Sequence, residues 1–245
     1  MPRRRERRRT GGVAKQVNPL KKAHGNKLDG LAPDWFERMF GPRCSFPLVI
    51  DLGTGGGEWV LEAAQQFRAL NFLGLDVRDD ALPAGTSNAG FLAANSADGD
   101  FDAVLRHVSK YCRVRFVLAQ YPDPHWKRKH RSRAMLTPSL CRAIALAAPE
   151  AFAVRTDVPH VAEDARRAAA QPPSLLDETT EISEDLADLL AVPTERELYV
   201  RRKSKAGGDF PRLCVFRATV VDPPHHLLAE VVAYHKTSTT TVLDP

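Results

Sequence analysis

The sequence has few cysteines and no long apolar run. Its four cysteines are widely spaced and include no CxxC pair, which argues against a zinc site and against a disulfide framework. No apolar run approaches the ~20 residues that a membrane helix needs, and the opening residues MPRRRERRRT lack the apolar core of a secretory signal. We therefore expect a soluble protein of a reducing, intracellular compartment, with no metal site and no membrane contact.

Acidic residues are scarce at the start of the chain. Residues 1–27 hold ten Lys and Arg and one acid, so this segment carries a charge of +9, and the net charge of +5 leaves −4 for the remainder. Such an arm is typical of nucleic-acid binding or nuclear import, and a disordered solubilising tail is the alternative. We expect a basic, disordered arm over residues 1–30, one domain over 31–220, and an unassigned tail over 221–245.

Short apolar segments alternate with segments of helical spacing over most of the chain. The predicted strands are PLVIDLG, NFLGLDV, RVRFVLAQ and AFAVRTD, and the predicted helices are WFERMF, GEWVLEAAQQFRAL, FDAVLRHVSKYC and PSLCRAIALAA. Alternation of this kind predicts an α/β fold, with a mostly parallel sheet covered by helices on both faces. TERELYVRRK and RLCVFRATVV predict two further strands that form a C-terminal antiparallel hairpin.

A glycine-rich turn follows the first predicted strand. The segment DLGTGGGEW places an acid and three glycines there, namely Asp51, Gly53, Gly55 and Gly57. A dinucleotide fingerprint would need glycine at position 58, which is Glu58. The spacing instead resembles the first motif of S-adenosylmethionine-dependent methyltransferases. Asp76 ends the next strand, 23 residues after Gly53, where an acid can accept hydrogen bonds from ribose hydroxyls. A bare tight turn and a solvated aspartate are the alternatives.

Two prolines bracket an aspartate after the strand RVRFVLAQ. Pro122 and Pro124 restrict the backbone on both sides of Asp123. The residues that follow, HWKRKHRSR, interleave cations with aromatic rings and contain no acid, which suits phosphate and base contacts. A stiff turn beside a solvated charged face is the alternative.

YPDPHWKRKHRSR resembles the FPDP-(W/H)-x-K-K-x-H-x-x-R signature of the tRNA (guanine-N(7)-)-methyltransferases, and its PDPH form is most similar to eukaryotic members. VNPL, RTD, TERE and GGDFPRLCVFR resemble further segments of that family in the same order, so the resemblance covers roughly residues 15–220. It implies a Rossmann-like class I methyltransferase fold, S-adenosylmethionine as methyl donor, no metal, and transfer to nitrogen 7 of a guanine in the tRNA variable loop.

The resemblance also implies roles for individual residues. Catalytic roles fall on Asp123, Asp157 and Glu197. Cofactor contacts fall on Asp51, Gly53, Gly55, Gly57, Asp76, Asn95 and Tyr121, with Asp98 as the alternative to Asn95. Substrate contacts fall on Pro124, His125, Lys127, Arg128, Lys129, His130, Arg133, Asp157, Thr194 and Glu197.

One segment departs from the family pattern. Between the second strand and the next, RDDALPAGTSNAG (residues 78–90) contains a proline and two glycines and is too short for the helix that members usually insert. In the family that the chain resembles, this segment helps to build the adenine pocket, so a non-catalytic RNA-binding protein on a decayed methyltransferase fold is an alternative. A methyltransferase with another substrate is a second one. By resemblance to eukaryotic members we expect a nuclear or cytoplasmic protein, with a plastid not excluded, and a WD-repeat subunit as a candidate partner.

Overall fold

The computed structural model describes residues 27–28, 30–95, 99–124, 134–172, 175–203 and 212–219, without the side chains of 200–203. The strands are β1 (Leu48–Leu52), β2 (Asn71–Asp76), β3 (Ala89–Ala93), β4 (Val114–Gln120), β5 (Ala151–Thr156), β6 (Leu176–Thr179) and β7 (Arg212–Ala218). The helices are α1 (Trp35–Phe40), α2 (Glu58–Gln66), α3 (Asp100–Val108), α4 (Pro138–Leu146), α5 (Pro159–Ala169), α6 (Glu184–Ala191) and α7 (Glu195–Lys203), with a 3-10 turn at Gly41–Arg43.

One sheet of seven strands, in the order β3-β2-β1-β4-β5-β7-β6, organises these elements. Strands β1 to β5 are parallel, whereas β7 is antiparallel to both β5 and β6. This arrangement confirms the predicted α/β fold with a mostly parallel sheet. The strand order reverses between β1 and β4, and ligands of such sheets bind at the carboxyl ends of the strands beside that reversal.

The central strands are apolar because both of their faces are covered. Every residue of β1, β2 and β5 is buried. One face packs against α1, α3, α4 and α5, and the other packs against α2 and α6. The two faces therefore form two continuous cores, and the polar strand ends are confined to the edge of the sheet.

The predicted C-terminal hairpin is wrong in its first strand. Residues 195–203 form α7, and β7 pairs instead with β6, a short strand that precedes both α6 and α7. Thr194 and Glu197 exchange hydrogen bonds as a capping box, which satisfies backbone donors at the start of the helix and outweighs the strand propensity of Leu198 and Tyr199. Only Leu176 of β6 is buried, so that strand has no apolar signature.

The short connection between β2 and β3 contains no helix, in agreement with the sequence. Residues 77–88, between Asp76 and Ala89, form turns, bends and irregular chain. None of the described helices is both long and apolar enough to span a bilayer.

Candidate active site

The predicted site residues meet at the carboxyl edge of β1, β2, β4 and β5. Asp51 lies near the end of β1 and the glycine turn follows that strand, Asp76 ends β2, residues 121–124 follow β4, and Asp157 follows β5. Because β1 and β4 are direct neighbours, the glycine turn and the proline-bracketed aspartate lie at the point where the strand order reverses. The parallel topology thus gathers segments that are far apart in the sequence.

The three glycines of the turn have different surroundings. All have left-handed backbone angles, with φ of 73° at Gly53, 61° at Gly55 and 76° at Gly57. A Cβ at Gly53 or Gly55 would have its nearest described neighbour at 3.8 or 3.9 Å. A Cβ at Gly57 would lie 2.5 Å from Phe91 and 2.8 Å from Pro83. Gly53 and Gly55 therefore leave room for a ligand, whereas Gly57 lets β3 and the short 77–88 connection pack onto the turn.

Asp51 is a buried carboxyl group behind this turn. It is 4% exposed, and the Gln120 side-chain amide donates to its Oδ1 at 3.3 Å. Burial raises the pKa of Asp51 to about 7, and the nearby Thr54 hydroxyl, the hydrogen bond from Gln120 and the charge of Arg155 oppose that rise. A cationic ligand group placed beside Asp51 would favour its ionised form.

Asp76 is already saturated with hydrogen-bond donors. Its Oδ2 accepts from the Gly55 N–H at 2.9 Å and from Arg78 Nη2 at 3.2 Å. Its Oδ1 accepts from the Arg78 backbone N–H at 2.9 Å and from Arg78 Nε at 3.0 Å. Since a carboxylate has about four acceptor positions, ribose hydroxyls could bind Asp76 only by replacing the Arg78 side chain.

Arg78 is a site residue that the sequence reasoning did not identify. Its pKa is raised, chiefly by the hydrogen bond to Asp76 and then by the charges of Asp76, Asp123 and Asp80. Its guanidinium group therefore lies in the electrostatic field of both the β2 carboxylate and the proline-bracketed one. The signal that could have found it is its position two residues after Asp76, at the carboxyl end of a central strand.

Asp123 is exposed and lies two residues after a residue with a strained backbone. Tyr121 has φ of 53°, an uncommon value for a residue with a side chain, and its N–H donates to the Arg155 carbonyl at 2.6 Å. Burial and the nearby Glu197 carboxylate raise the pKa of the Tyr121 hydroxyl. A shallow pocket open to solvent lies beside this turn and is lined by Pro122, Asp123, Ala134, Met135, Leu136, Val161 and Asp164.

The remaining predicted carboxylates contact α7. Asp157 Oδ2 accepts from Arg196 Nη2 at 2.6 Å. Glu197 Oε2 accepts from the Thr194 N–H at 2.9 Å and from its hydroxyl at 3.2 Å, and Glu197 Oε1 lies 3.3 Å from Arg155 Nη1. Both oxygens of Glu197 are therefore engaged within the chain, which indicates a role in holding the start of α7.

Of the remaining predicted residues, Asn95 and Pro124 lie within the described part of the chain, and the others lie outside it. Asn95 is buried just after β3, and its backbone N–H donates to Asp100 at 2.7 Å. Pro124 is half-buried at the end of the described turn. The alternative residue Asp98 and six of the predicted substrate contacts lie outside the described residues, namely His125, Lys127, Arg128, Lys129, His130 and Arg133.

Comparison with known proteins identifies similar chains. Residues 45–209 match the methyltransferase family described as "Putative methyltransferase". The chain is 30% identical to a tRNA (guanine-N(7)-)-methyltransferase of Synechococcus elongatus, over 86% of this chain and 97% of that protein. It is 29% identical to the protein of the same name from Synechocystis sp., over 76% of this chain and 89% of that protein.

A solved structure with a similar arrangement is that of the 16S rRNA methyltransferase KamB. Its TM-score is 0.48 at 16% identity, covering 77% of this chain and 94% of that chain. Both curated relatives named above are cyanobacterial. They support neither the nuclear compartment nor the WD-repeat subunit that the similarity to eukaryotic members implied.

Proposed function

Because this chain belongs to the family of tRNA (guanine-N(7)-)-methyltransferases, we propose that it uses Asp123 to assist methyl transfer from S-adenosylmethionine to nitrogen 7 of a guanine in tRNA. The supporting observation is the position of Asp123. It is exposed after β4, beside the glycine turn after the neighbouring strand β1, and its charge acts on the same Arg78 guanidinium that binds Asp76. The acceptor and donor sites thus share one edge of the sheet.

The residues at this edge fit S-adenosylmethionine at its amino-acid end. Bound there, S-adenosylmethionine supplies a methyl group activated by a sulfonium centre. Gly53 and Gly55 leave space beside the turn, and the buried carboxyl group of Asp51 can receive an ammonium group. Asp76 and Arg78 would hold the ribose, with the Arg78 side chain exchanging bonds to Asp76 for bonds to the ligand.

Asp123 acts on the guanine and not on the methyl group. Nitrogen 7 of neutral guanine has an in-plane lone pair and no proton, so the reaction needs no strong general base. Positive charge moves onto the ring as the bond to the methyl carbon forms, and the N–H groups of the ring become more acidic. A carboxylate that accepts from those groups binds the transition state more strongly than the ground state. The flanking prolines hold Asp123 in that position.

The start of α7 would act as a support for the bound base. Asp157 is paired with Arg196, and Glu197 caps the helix and binds Arg155. We infer that Asp157 and Glu197 position α7 and do not bind the base directly. The cations at 127–133 would bind tRNA phosphates, which provides affinity without sequence selectivity.

The proposal involves the single chain and tRNA. The chain would act wherever it meets tRNA, and it would act without a WD-repeat subunit. A direct test is an assay with the purified chain, labelled S-adenosylmethionine and unmodified tRNA, followed by mapping of the methylated base. Methylation of nitrogen 7 of a guanine by the chain alone is the expected result.

The role of Asp123 is tested with Asp123→Ala. We expect tRNA methylation to fall by about 10² or more, while S-adenosylhomocysteine binding stays unchanged. Asp80→Ala is the matched control, because Asp80 is also exposed and also acts on Arg78, but it lies in the 77–88 connection. If Asp123→Ala and Asp80→Ala methylate tRNA equally well, the role given to Asp123 is wrong. If the wild-type chain methylates no guanine, the proposed function itself is wrong.

A further inference from the structure

A chain of buried and half-buried polar side chains runs across the strands behind the candidate active site. Gln120 and Arg155 are register partners on the parallel strands β4 and β5. Arg155 donates to Gln120 Oε1 through Nη2, and Gln120 Nε2 donates to Asp51 Oδ1 at 3.3 Å. On its other side, Arg155 Nη1 lies 3.3 Å from Glu197 Oε1. Four side chains thus link β1, β4, β5 and α7.

Arg155 fixes the orientation of the Gln120 amide. A guanidinium group carries only donors, so the amide oxygen of Gln120 must face Arg155. The amide nitrogen of Gln120 must then face Asp51, and it presents a donor to that carboxyl group. This hydrogen bond is stronger to the ionised carboxylate than to the neutral acid, so the Gln120 donor favours ionised Asp51.

Arg155 is itself too buried to be an ordinary surface cation. It is 5% exposed, and its guanidinium group also donates to the carbonyls of Leu190 at 2.6 Å and Val192 at 3.5 Å. A charge in such surroundings is costly unless it is paired, and Glu197 supplies the carboxylate. The carbonyls belong to the last turn of α6 and to the residue that follows it, so one side chain holds both α7 and the end of α6.

We propose that Arg155 is a positioning residue that orients Gln120, so that Asp51 receives the ammonium group of the methyl donor, and that also holds Glu197 at the start of α7. This inference rests on the proposed function, because it assigns a ligand to Asp51. The buried Arg155 side chain thereby connects Asp51, on the side of the methyl donor, with Glu197, on the side of the tRNA. Arg155 and Gln120 have no role in the catalytic or binding sets that the sequence pattern predicts.

The surroundings of Asp51 agree with this assignment. Thr54 from the glycine turn, Gln120 from β4 and Arg155 from β5 lower the pKa of Asp51, while burial and the charge of Asp76 from β2 raise it. Loss of the Gln120 donor leaves the raising effects less opposed. Ammonium binding, which favours ionised Asp51, then weakens at a higher pH than in the wild type.

The test compares two ligands that differ in the group facing Asp51. S-adenosylhomocysteine carries the amino-acid tail, and 5′-methylthioadenosine lacks it. For Gln120→Met, which has similar volume but no amide, we expect about tenfold weaker binding of S-adenosylhomocysteine near neutral pH and an acid limb displaced to higher pH. Binding of 5′-methylthioadenosine stays unchanged. Calorimetric titrations from pH 5.5 to 8 measure both ligands.

Arg155 is tested with a disruptive and a conservative variant. Arg155→Met has the effect of Gln120→Met on ligand binding and also lowers tRNA methylation at saturating S-adenosylmethionine, because Glu197 loses its partner. Arg155→Lys keeps a donor-only cation and retains most of the wild-type pH profile. Arg115→Met is the matched control, since Arg115 is likewise a strand arginine that forms ion pairs, here on β4 with Glu150 and Asp185, away from the site.

The outcomes separate this inference from the proposed function. Equal losses for both ligands in Gln120→Met, or no loss for either, overturn the inference, and Gln120→Met decides this even if Arg155→Met does not fold. A wild-type chain that binds neither S-adenosylhomocysteine nor S-adenosylmethionine overturns the proposed function. A wild-type chain that binds both and methylates tRNA, with an unaltered pH profile in Gln120→Met, overturns the inference alone.

Discussion

Gly57 offers a quantitative test of how the short 77–88 connection meets the glycine turn. Gly57 precedes α2 with φ of 76° and ψ of 6°, and Gly99 precedes α3 with φ of 81° and ψ of −11°. Both helices have nine residues. A Cβ at Gly57 would lie 2.5 Å from Phe91 and 2.8 Å from Pro83, whereas a Cβ at Gly99 would have no described atom within 4 Å. The two glycines thus share a conformation and differ in packing.

The expected costs follow from this difference. Placing a Cβ on a left-handed residue costs roughly 1–2 kcal/mol, and both Gly57→Ala and Gly99→Ala incur this loss. Gly57→Ala also overpacks the contact with Phe91 and Pro83, which adds roughly 1–3 kcal/mol. We therefore expect the free energy of unfolding to fall by about 2–5 kcal/mol for Gly57→Ala and by about 1–2 kcal/mol for Gly99→Ala.

Urea unfolding of the two variants measures the difference, and S-adenosylhomocysteine binding should weaken only in Gly57→Ala. A double variant sharpens the result, because Phe91→Leu should recover part of the loss caused by Gly57→Ala and none of that caused by Gly99→Ala. Equal losses of stability for Gly57→Ala and Gly99→Ala would refute the close packing of the connection on the turn. Additivity of Gly57→Ala with Phe91→Leu would refute Phe91 as the obstructing group.

Two further predictions concern the carboxyl groups of the site. The pKa of Asp51 is about 7 in the folded chain and near 3.8 in an unfolded one, so the folded state holds a proton that the unfolded state has lost, and the free energy of unfolding falls as the pH rises through that interval. Asp51→Asn should remove this fall when urea unfolding is measured at pH 5 and pH 8. The same pH dependence of stability in the wild type and in Asp51→Asn would contradict the prediction. Thr194→Ala and Ser183→Ala each remove a helix-capping side chain and should each cost about 1 kcal/mol, but only Thr194→Ala should lower tRNA methylation, because Thr194 binds Glu197. A loss of methylation in Ser183→Ala of the same size would argue for a general effect of stability.

The sequence predicted the elements with strong local signals. The strands β1, β2, β4 and β5 are predominantly apolar, as expected for strands buried on both faces, and the helices α1 to α4 have apolar residues at helical spacing. It failed for residues 194–203, where a capping box and the contact of Glu197 with Arg155 favour a helix. Glu197 and Arg155 are 42 positions apart, and the capping box forms only at a helix start, so strand propensity alone could not reveal either contact.

The same division holds for the site. The residues at the strand ends could be named from the sequence, because strand–turn–helix order alone brings the ends of parallel strands to one edge. The partners of these residues could not be named. Three of these contacts depend on distances that the sequence does not give. Arg78 binds the carboxylate of Asp76, Pro83 packs against Gly57, and Asp157 pairs with Arg196.

What the sequence by itself determined is the parallel sheet, the glycine turn and the placement of Asp123 between two prolines after β4, since each depends on local backbone preferences and on apolar periodicity. What only the tertiary structure decided is the connection from Asp51 through Gln120 and Arg155 to Glu197. These residues come from β1, β4, β5 and α7, and the register of two parallel strands places Gln120 opposite Arg155. Strand register is a property of the folded sheet, because hydrogen bonds between strands far apart in sequence form only when the whole core closes.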